Sequence, residues 1–238
     1  MNDVFLFDLD GTLLPLDEED FKQLYFSELK KVFIDLGMDG DLALHSLMKG
    51  LDAMWRNTGK KTNEDLFWDV FAKDMPHSHS NQVLKERFIQ FYENDFDVAK
   101  PSAKQSPYAK KIINLLKAHD KKIVLATNPV FPVVAVKKRL EWAGLDYDMF
   151  DFVTTYEGSS FCKPKHAYYQ EILDAIDEEP GRCLMIGNDV REDMIAKEMG
   201  MDTYLVTECL KNPDNRSIEE FDKGSLKSFY EKMSEVIA

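Results

Sequence analysis

Positive charge is scarce in this chain: 30 Lys and Arg stand against 43 Asp and Glu, a formal net charge of −13 over 238 residues. Such a balance argues against a general nucleic-acid binder and against a protein that docks on anionic membranes. Cysteine is scarcer still. Cys162, Cys183 and Cys209 share no metal-like spacing and are expected as reduced thiols of a cytoplasmic protein. No apolar run approaches the length of a membrane span. No basic leader precedes the first strand, so a signal peptide is not expected either. Internal repeats and low-complexity tracts are missing too. Apolar residues, by contrast, make up 44% of the chain, enough for a sizeable core. The length fits one large domain, or a core domain carrying an insert.

What is present concentrates near the start. An apolar run, Val4-Phe5-Leu6-Phe7, leads directly into Asp8-Leu9-Asp10-Gly11-Thr12-Leu13. It reads as a buried strand that ends on two carboxylates, with a glycine to turn the backbone. Residues two apart in a strand point the same way, so Asp8 and Asp10 are expected to address one site at the strand's carboxyl end. Two acids in one site repel, and a cation or unequal protonation must settle them. The plainer reading is a polar turn after a core strand. Against it, Asp-x-Asp-Gly-Thr arises by chance about once in 10^5 starting positions, at roughly 6% per fixed residue.

Beyond Pro15 the periodicity becomes helical. Phe21, Leu24, Tyr25, Leu29, Val32 and Phe33 mark a first helix that Gly37 stops. Further helices are expected around residues 44–55, 66–71 and 83–92. No convincing strand lies between Leu16 and Pro101, so residues 16–101 read as an all-helical insertion. Residues 1–15 and 102–238 form the core. There, strands at 122–126, 152–154, 183–186 and 203–206 alternate with helices, one beginning near Pro164 and one running through 194–199, before a polar stretch and a C-terminal helix. That alternation predicts an α/β fold with a doubly wound parallel sheet.

Parallel strands share one carboxyl edge, where such sheets bind ligands. Four polar signals fall there. Asp8 and Asp10 are the first. Thr127-Asn128 follows a strand and precedes a helix, where a hydroxyl and free amides hold an anion or merely cap the helix. Lys163 in Cys162-Lys163-Pro164-Lys165 precedes a helix, with Lys165 competing for its role. Asn188, Asp189 and Asp193 follow the strand ending at Ile186, where acids also serve a helix dipole.

In this order the signals resemble the haloacid dehalogenase superfamily, whose members are mostly magnesium-dependent phosphohydrolases. The resemblance covers nearly the whole chain. Asp8-x-Asp10-Gly11-Thr12 matches the first motif, Thr127 the second, Lys163 the third, and Asp189 with Asp193 the fourth. The helical insertion matches the family's type-one cap. The resemblance implies Asp8 as nucleophile, Asp10 as general acid and base, and Thr127, Asn128 and Lys163 around the phosphoryl oxygens. It also implies Mg2+ held among Asp8, Asp10, Asp189 and Asp193. The family usually has Gly-Asp at the fourth motif, whereas here Asn188 follows Gly187. A carboxylate attracts a divalent cation better than an amide oxygen, so Asp189 is the expected direct ligand. Asp193, read as one helical turn further, either reaches the metal through water or holds Lys163. Glu192 is expected to be solvated.

The implied substrate is a small phosphorylated metabolite, because a closing cap excludes polymers and water. An acidic surface repels such anions at long range, so the site itself must attract them. A phosphomutase would use the same two aspartates. A non-catalytic regulatory protein of the same fold is the alternative from another class, and Asp10 speaks against a dehalogenase. Arg56 is the candidate substrate contact on the cap, with a charged helix end as the plainer reading. His77-Ser78-His79 resembles a metal pair but lacks a third ligand and reads as solvated loop.

Overall fold

The computed structural model describes residues 2–74 and 80–237, so His77-Ser78-His79 lies outside the described residues. In chain order the helices are α1 (Glu18–Asp35), α2 (Gly40–Trp55), α3 (Asn63–Phe71), α4 (Asn81–Asn94), α5 (Ala109–Lys117), α6 (Val133–Trp142), α7 (His166–Ile176) and α8 (Leu226–Ile237). The strands are β1 (Val4–Phe7), β2 (Lys122–Leu125), β3 (Phe152–Val153), β4 (Cys183–Gly187), β5 (Asp202–Val206) and β6 (Asp222–Gly224). They make one sheet in the order β3-β2-β1-β4-β5-β6, every neighbouring pair parallel. The chain builds outward from β1 to β3, then returns to the other side of β1 with β4. That reversal opens a crevice beside the carboxyl ends of β1 and β4.

β1 sits at the middle of this sheet with all four residues buried, which explains its unbroken apolar run. Its side chains alternate between two cores. Phe5 and Phe7 join Ile112, Ile113 and Leu116 of α5 and Phe229 of α8. Val4 and Leu6 face Tyr168, Tyr169, Ile172 and Leu173 of α7. Helices therefore cover both faces.

Between β1 and β2 the described residues hold helices but no named strand. The bundle packs on aromatic rings. Phe67 stacks on Phe71 with centroids 5.4 Å apart, and Phe88 meets Phe33, Trp68 and Phe71 edge-on or tilted. Such pairs add roughly 0.5–1.5 kcal/mol each beyond area burial. The two passages between core and insertion run side by side, joined by an antiparallel bridge at Leu16 and Ala103. A buried polar seam pins the insertion to the core: Asn63 Nδ2 donates to the Pro129 carbonyl at 3.1 Å, and Asn57 Nδ2 to Asn63 Oδ1 at 2.9 Å.

Three details depart from expectation. β6 lies in the stretch read as a polar connection. Asp222-Lys223-Gly224 has no β-forming side chain and is recruited at the sheet edge by backbone pairing with Tyr204–Val206. The helix placed near Pro164 begins at His166, and residues 194–199 form 3-10 turns instead of an α-helix. Among the described residues no helix is long and apolar enough to cross a membrane.

Candidate active site

The strand ends at Phe7, so Asp8 and Asp10 do not follow strand alternation. They part company. Asp8 continues the sheet through its amide, which donates to the Ile186 carbonyl at 2.9 Å, and its carboxylate meets Lys163. Asp10 lies in a tight loop where Leu9 accepts from Thr12 and Leu14. Its carboxylate pairs with Arg139 of α6. Both aspartates nevertheless line one small cavity of about 170 Å³, together with Thr127, Asn128, Asn188, Asp189 and Asp193. Gly11 makes the loop possible. Its φ is +90°, and a Cβ there would collide with the Asn188 amide.

Lys163 is the hub. Its side chain is 1% exposed, and Nζ donates to Asp8 Oδ1 at 2.9 Å and to Asp193 Oδ1 at 2.6 Å. Burial alone would lower its pKa, but the Asp193 and Asp8 charges hold it well above the ordinary lysine value. Lys165, the rival candidate, instead donates to the Asn57 carbonyl at 2.7 Å. Burial pushes Asp193 above the ordinary carboxylate range against the pull of Lys163, and Asp8 adds to the rise. The second Asp193 oxygen accepts from the Asp189 amide at 2.9 Å. Gly187 leaves the room for that carboxylate.

The fourth-motif loop is a turn, not the first turn of an α-helix. Asp189 Oδ1 accepts from the Arg191 and Glu192 amides at 2.8 and 2.9 Å, closing the turn that carries Asp193 back towards Lys163. Asn188 is buried. Its Nδ2 donates to the Cys209 carbonyl at 2.6 Å, and its Oδ1 lies 3.1 Å from the Thr12 hydroxyl. That hydroxyl also lies 3.3 Å from Asp8 Oδ2. Glu192, read as solvated, instead faces the site and accepts from Asn128 Nδ2 at 3.2 Å. Burial raises its pKa.

Thr127 is buried, and its carbonyl receives the Thr154 and Tyr168 hydroxyls at 2.6 and 2.9 Å, which fixes the turn. Arg56 stands apart from this constellation. It is 79% exposed at the end of α2, paired with Asp52, and lines neither this cavity nor the larger one beside it. Its neighbour Trp55 lines both.

Two basic residues at the site escaped the sequence reading. Arg139 is 1% exposed, lies over the Phe131 ring at 4.3 Å, and has one guanidinium nitrogen with no hydrogen-bond partner among the described residues. In sequence it ends the run Lys137-Lys138-Arg139 and looks like any helix surface. Burial raises the Asp10 pKa, Arg139 opposes that rise, and Asp8 reinforces it. Lys211 arrives from the loop after β5, whose backbone pairs with Asn188 and Val190. Its Nζ meets Glu18 at 2.8 Å.

Residues 2–200 match the profile of a hydrolase family, haloacid dehalogenase-like hydrolase. The chain belongs to this family. It is 24% identical over 215 residues to a glyceraldehyde 3-phosphate phosphatase of Methanothermobacter thermautotrophicus, covering 90% of this chain and 89% of that one. Its fold matches a HAD phosphatase from Thermococcus onnurineus with a TM-score of 0.58 at 19% identity, over 97% of both chains. It also matches the HAD-hydrolase YfnB of Bacillus subtilis, solved bound to magnesium, with a TM-score of 0.55 at 20% identity, over 98% of this chain and 99% of that one. The protein is thus a hydrolase whose sheet and helical insertion follow the family's architecture.

Proposed function

We propose that this protein is a Mg2+-dependent phosphatase that hydrolyses a small phosphomonoester through an aspartyl-phosphate on Asp8. The observation that carries the proposal is the buried Lys163 ammonium held between Asp8 and Asp193 at the carboxyl end of β1. A fixed positive charge beside Asp8 supports this reading, because a phosphoryl oxygen needs such a partner if Asp8 attacks phosphorus. In the first step an Asp8 oxygen bonds to phosphorus while the bond to the leaving oxygen breaks, and Asp10 gives that oxygen its proton. In the second, Asp10 takes a proton from water as the water attacks phosphorus and the Asp8–phosphorus bond breaks. Thr127, Asn128 and Lys163 hold the remaining phosphoryl oxygens. Asp10 and Asp8 have different partners, Arg139 and Lys163, which suits two carboxylates with different tasks.

The donor set suits Mg2+. Asp8, the Asp10 loop, Asp189 and Asn188 offer hard oxygens around one cavity. Among the described residues no cluster of three or more His, Cys, Asp or Glu forms a ready-made cage. Mg2+ does not require one, because it is commonly held by one or two carboxylates, waters and the substrate phosphate. When bound, it neutralises charge between the Asp8 carboxylate and the phosphate. Asp193, with both oxygens already engaged, serves by holding Lys163.

The insertion, residues 16–101, acts as a cap that shields the site from water. Similarity to a curated phosphatase across nine-tenths of the chain supports phosphatase chemistry over dehalogenation. The test is release of inorganic phosphate from p-nitrophenyl phosphate with and without Mg2+. Activity that needs Mg2+ and disappears in Asp8→Asn is expected. Undiminished activity in Asp8→Asn would remove Asp8 as nucleophile.

A further inference from the structure

A second, larger cavity of about 490 Å³ opens from Asp10 into the seam between core and insertion. It shares Asp10, Trp55, Phe131, Asn188 and Lys211 with the acidic cavity, so the two spaces adjoin at Asp10. A leaving group on the Asp10 side of the phosphorus faces this larger space. A volume of this size lies within the range of ordinary small-molecule sites and is generous for a three-carbon leaving group.

The walls are mostly apolar. Phe21, Phe26, Leu51, Trp55, Phe131 and Tyr156 form much of the surface. The polar atoms that border it are largely spent on one another. The Tyr25 and Tyr92 hydroxyls hydrogen-bond to each other at 2.7 Å. Glu18 is paired with Lys211 at 2.8 Å and Lys22 at 3.2 Å. The Trp68 indole N–H is buried beside the Tyr156 hydroxyl and meets no other hydrogen-bond partner among the described residues. A polyol would have to strip water from several hydroxyls and find few replacements, an unfavourable exchange. An aryl or alkyl group loses only water contact and gains burial.

We infer that the substrate is the phosphate ester of a predominantly apolar alcohol of aryl-ring size or larger, and not of a short polyol. This rests on the phosphatase reading for its catalytic half. The binding half stands on the cavity alone. Trp55 and Met48, each 44% exposed, line the cavity and give it an outer rim.

Two measurements separate the halves. The first compares kcat/KM, with Mg2+ present, for 2-phenylethyl phosphate and glycerol phosphate, whose alcohols are similarly weak acids, alongside acetyl phosphate as a small, activated control. The second measures inhibition or direct binding by benzylphosphonate against methylphosphonate, which no phosphatase turns over. A preference of at least about tenfold for the phenyl compound is expected in both, equivalent to about 1.4 kcal/mol. Leu51→Arg, placing a charge on the wall, should collapse the preference. Should that variant fail to fold, the ligand series on the unaltered protein still decides. Phosphate release from acetyl phosphate with equal or better use of glycerol phosphate would overturn the inference and leave the phosphatase reading standing. Preferential benzylphosphonate binding without phosphate release from any ester would do the reverse.

Discussion

Replacing Lys163 by Met removes the cation from between two aspartates while keeping most of the side-chain volume. Lys163 is 1% exposed, Asp193 equally so, and Asp8 12%, so solvent does little to screen the loss. Breaking a buried pair by deleting one partner typically costs about 3–5 kcal/mol. In a protein of this size each kcal/mol lowers Tm by about 2–4 °C, so a fall of roughly 6–20 °C is expected. Adding Asp193→Asn should recover part of that fall, because it removes one of the two stranded charges, and a double-mutant cycle measures the coupling. The deficit also has a pH sign. Burial, reinforced by the Asp8 charge, already raises the Asp193 carboxyl against the pull of Lys163, and removing the lysine removes that opposition. The protonated form of Asp193 is then favoured in the folded protein, so the deficit shrinks below the unfolded carboxylate pKa and grows as pH rises through the folded value. Thermal melts of the single and double variants across a pH series provide the readout. A Tm within about 2 °C of the parent at neutral pH, a loss below roughly 1 kcal/mol, would refute the placement of Lys163 as a buried counter-ion.

Arg139→Met should lower kcat by about 10²-fold with KM within a few-fold, because it unseats Asp10 without touching the phosphate contacts; steady-state kinetics check this, and an unchanged kcat would deny Arg139 any part in positioning Asp10. Asp189→Ala should raise the Mg2+ concentration for half-maximal activity more than Asn188→Ala does, measured by Mg2+ titration at a temperature where both variants are folded. If Asn188→Ala weakens Mg2+ binding more, the amide next to Gly187 carries the metal instead of the carboxylate.

The sheet was readable because burial on both faces leaves an unmistakable mark: Val4-Phe5-Leu6-Phe7 and Cys183-Leu184-Met185-Ile186 admit few other fates. β6 was not, since Asp222-Lys223-Gly224 is a strand only by virtue of the β5 edge beside it. Asp8, Asp10, Thr127, Asp189 and Asp193 were singled out by position after strands and Lys163 by position before a helix; all but Lys163 line the acidic cavity, while Lys163 hydrogen-bonds to Asp8 and Asp193. The expected reason for the Asp8–Asp10 pairing failed, however. The chain leaves the strand at Phe7, and a loop around Gly11 brings Asp10 to the cavity by another route. Arg139 and Lys211 were invisible because a cation on an amphipathic helix or in a polar loop looks solvated until the opposing acid is known, and those acids lie 129 and 193 residues away. Arg56 shows the converse: next to a cavity-lining tryptophan in sequence, it sits on the outer face of α2 in an exposed pair with Asp52.

The central claim is that Asp8 carries the phosphoryl group. Rapid mixing with an activated phosphomonoester and Mg2+, quenching, borohydride reduction and peptide mass spectrometry tests it directly. An acyl phosphate at Asp8 is reduced to homoserine, so the peptide spanning Asp8 should carry that change, and it should be absent without substrate and in Asp8→Asn. Steady turnover with Asp8 unmodified, or with homoserine appearing at Asp10 or Asp189 instead, would contradict the account.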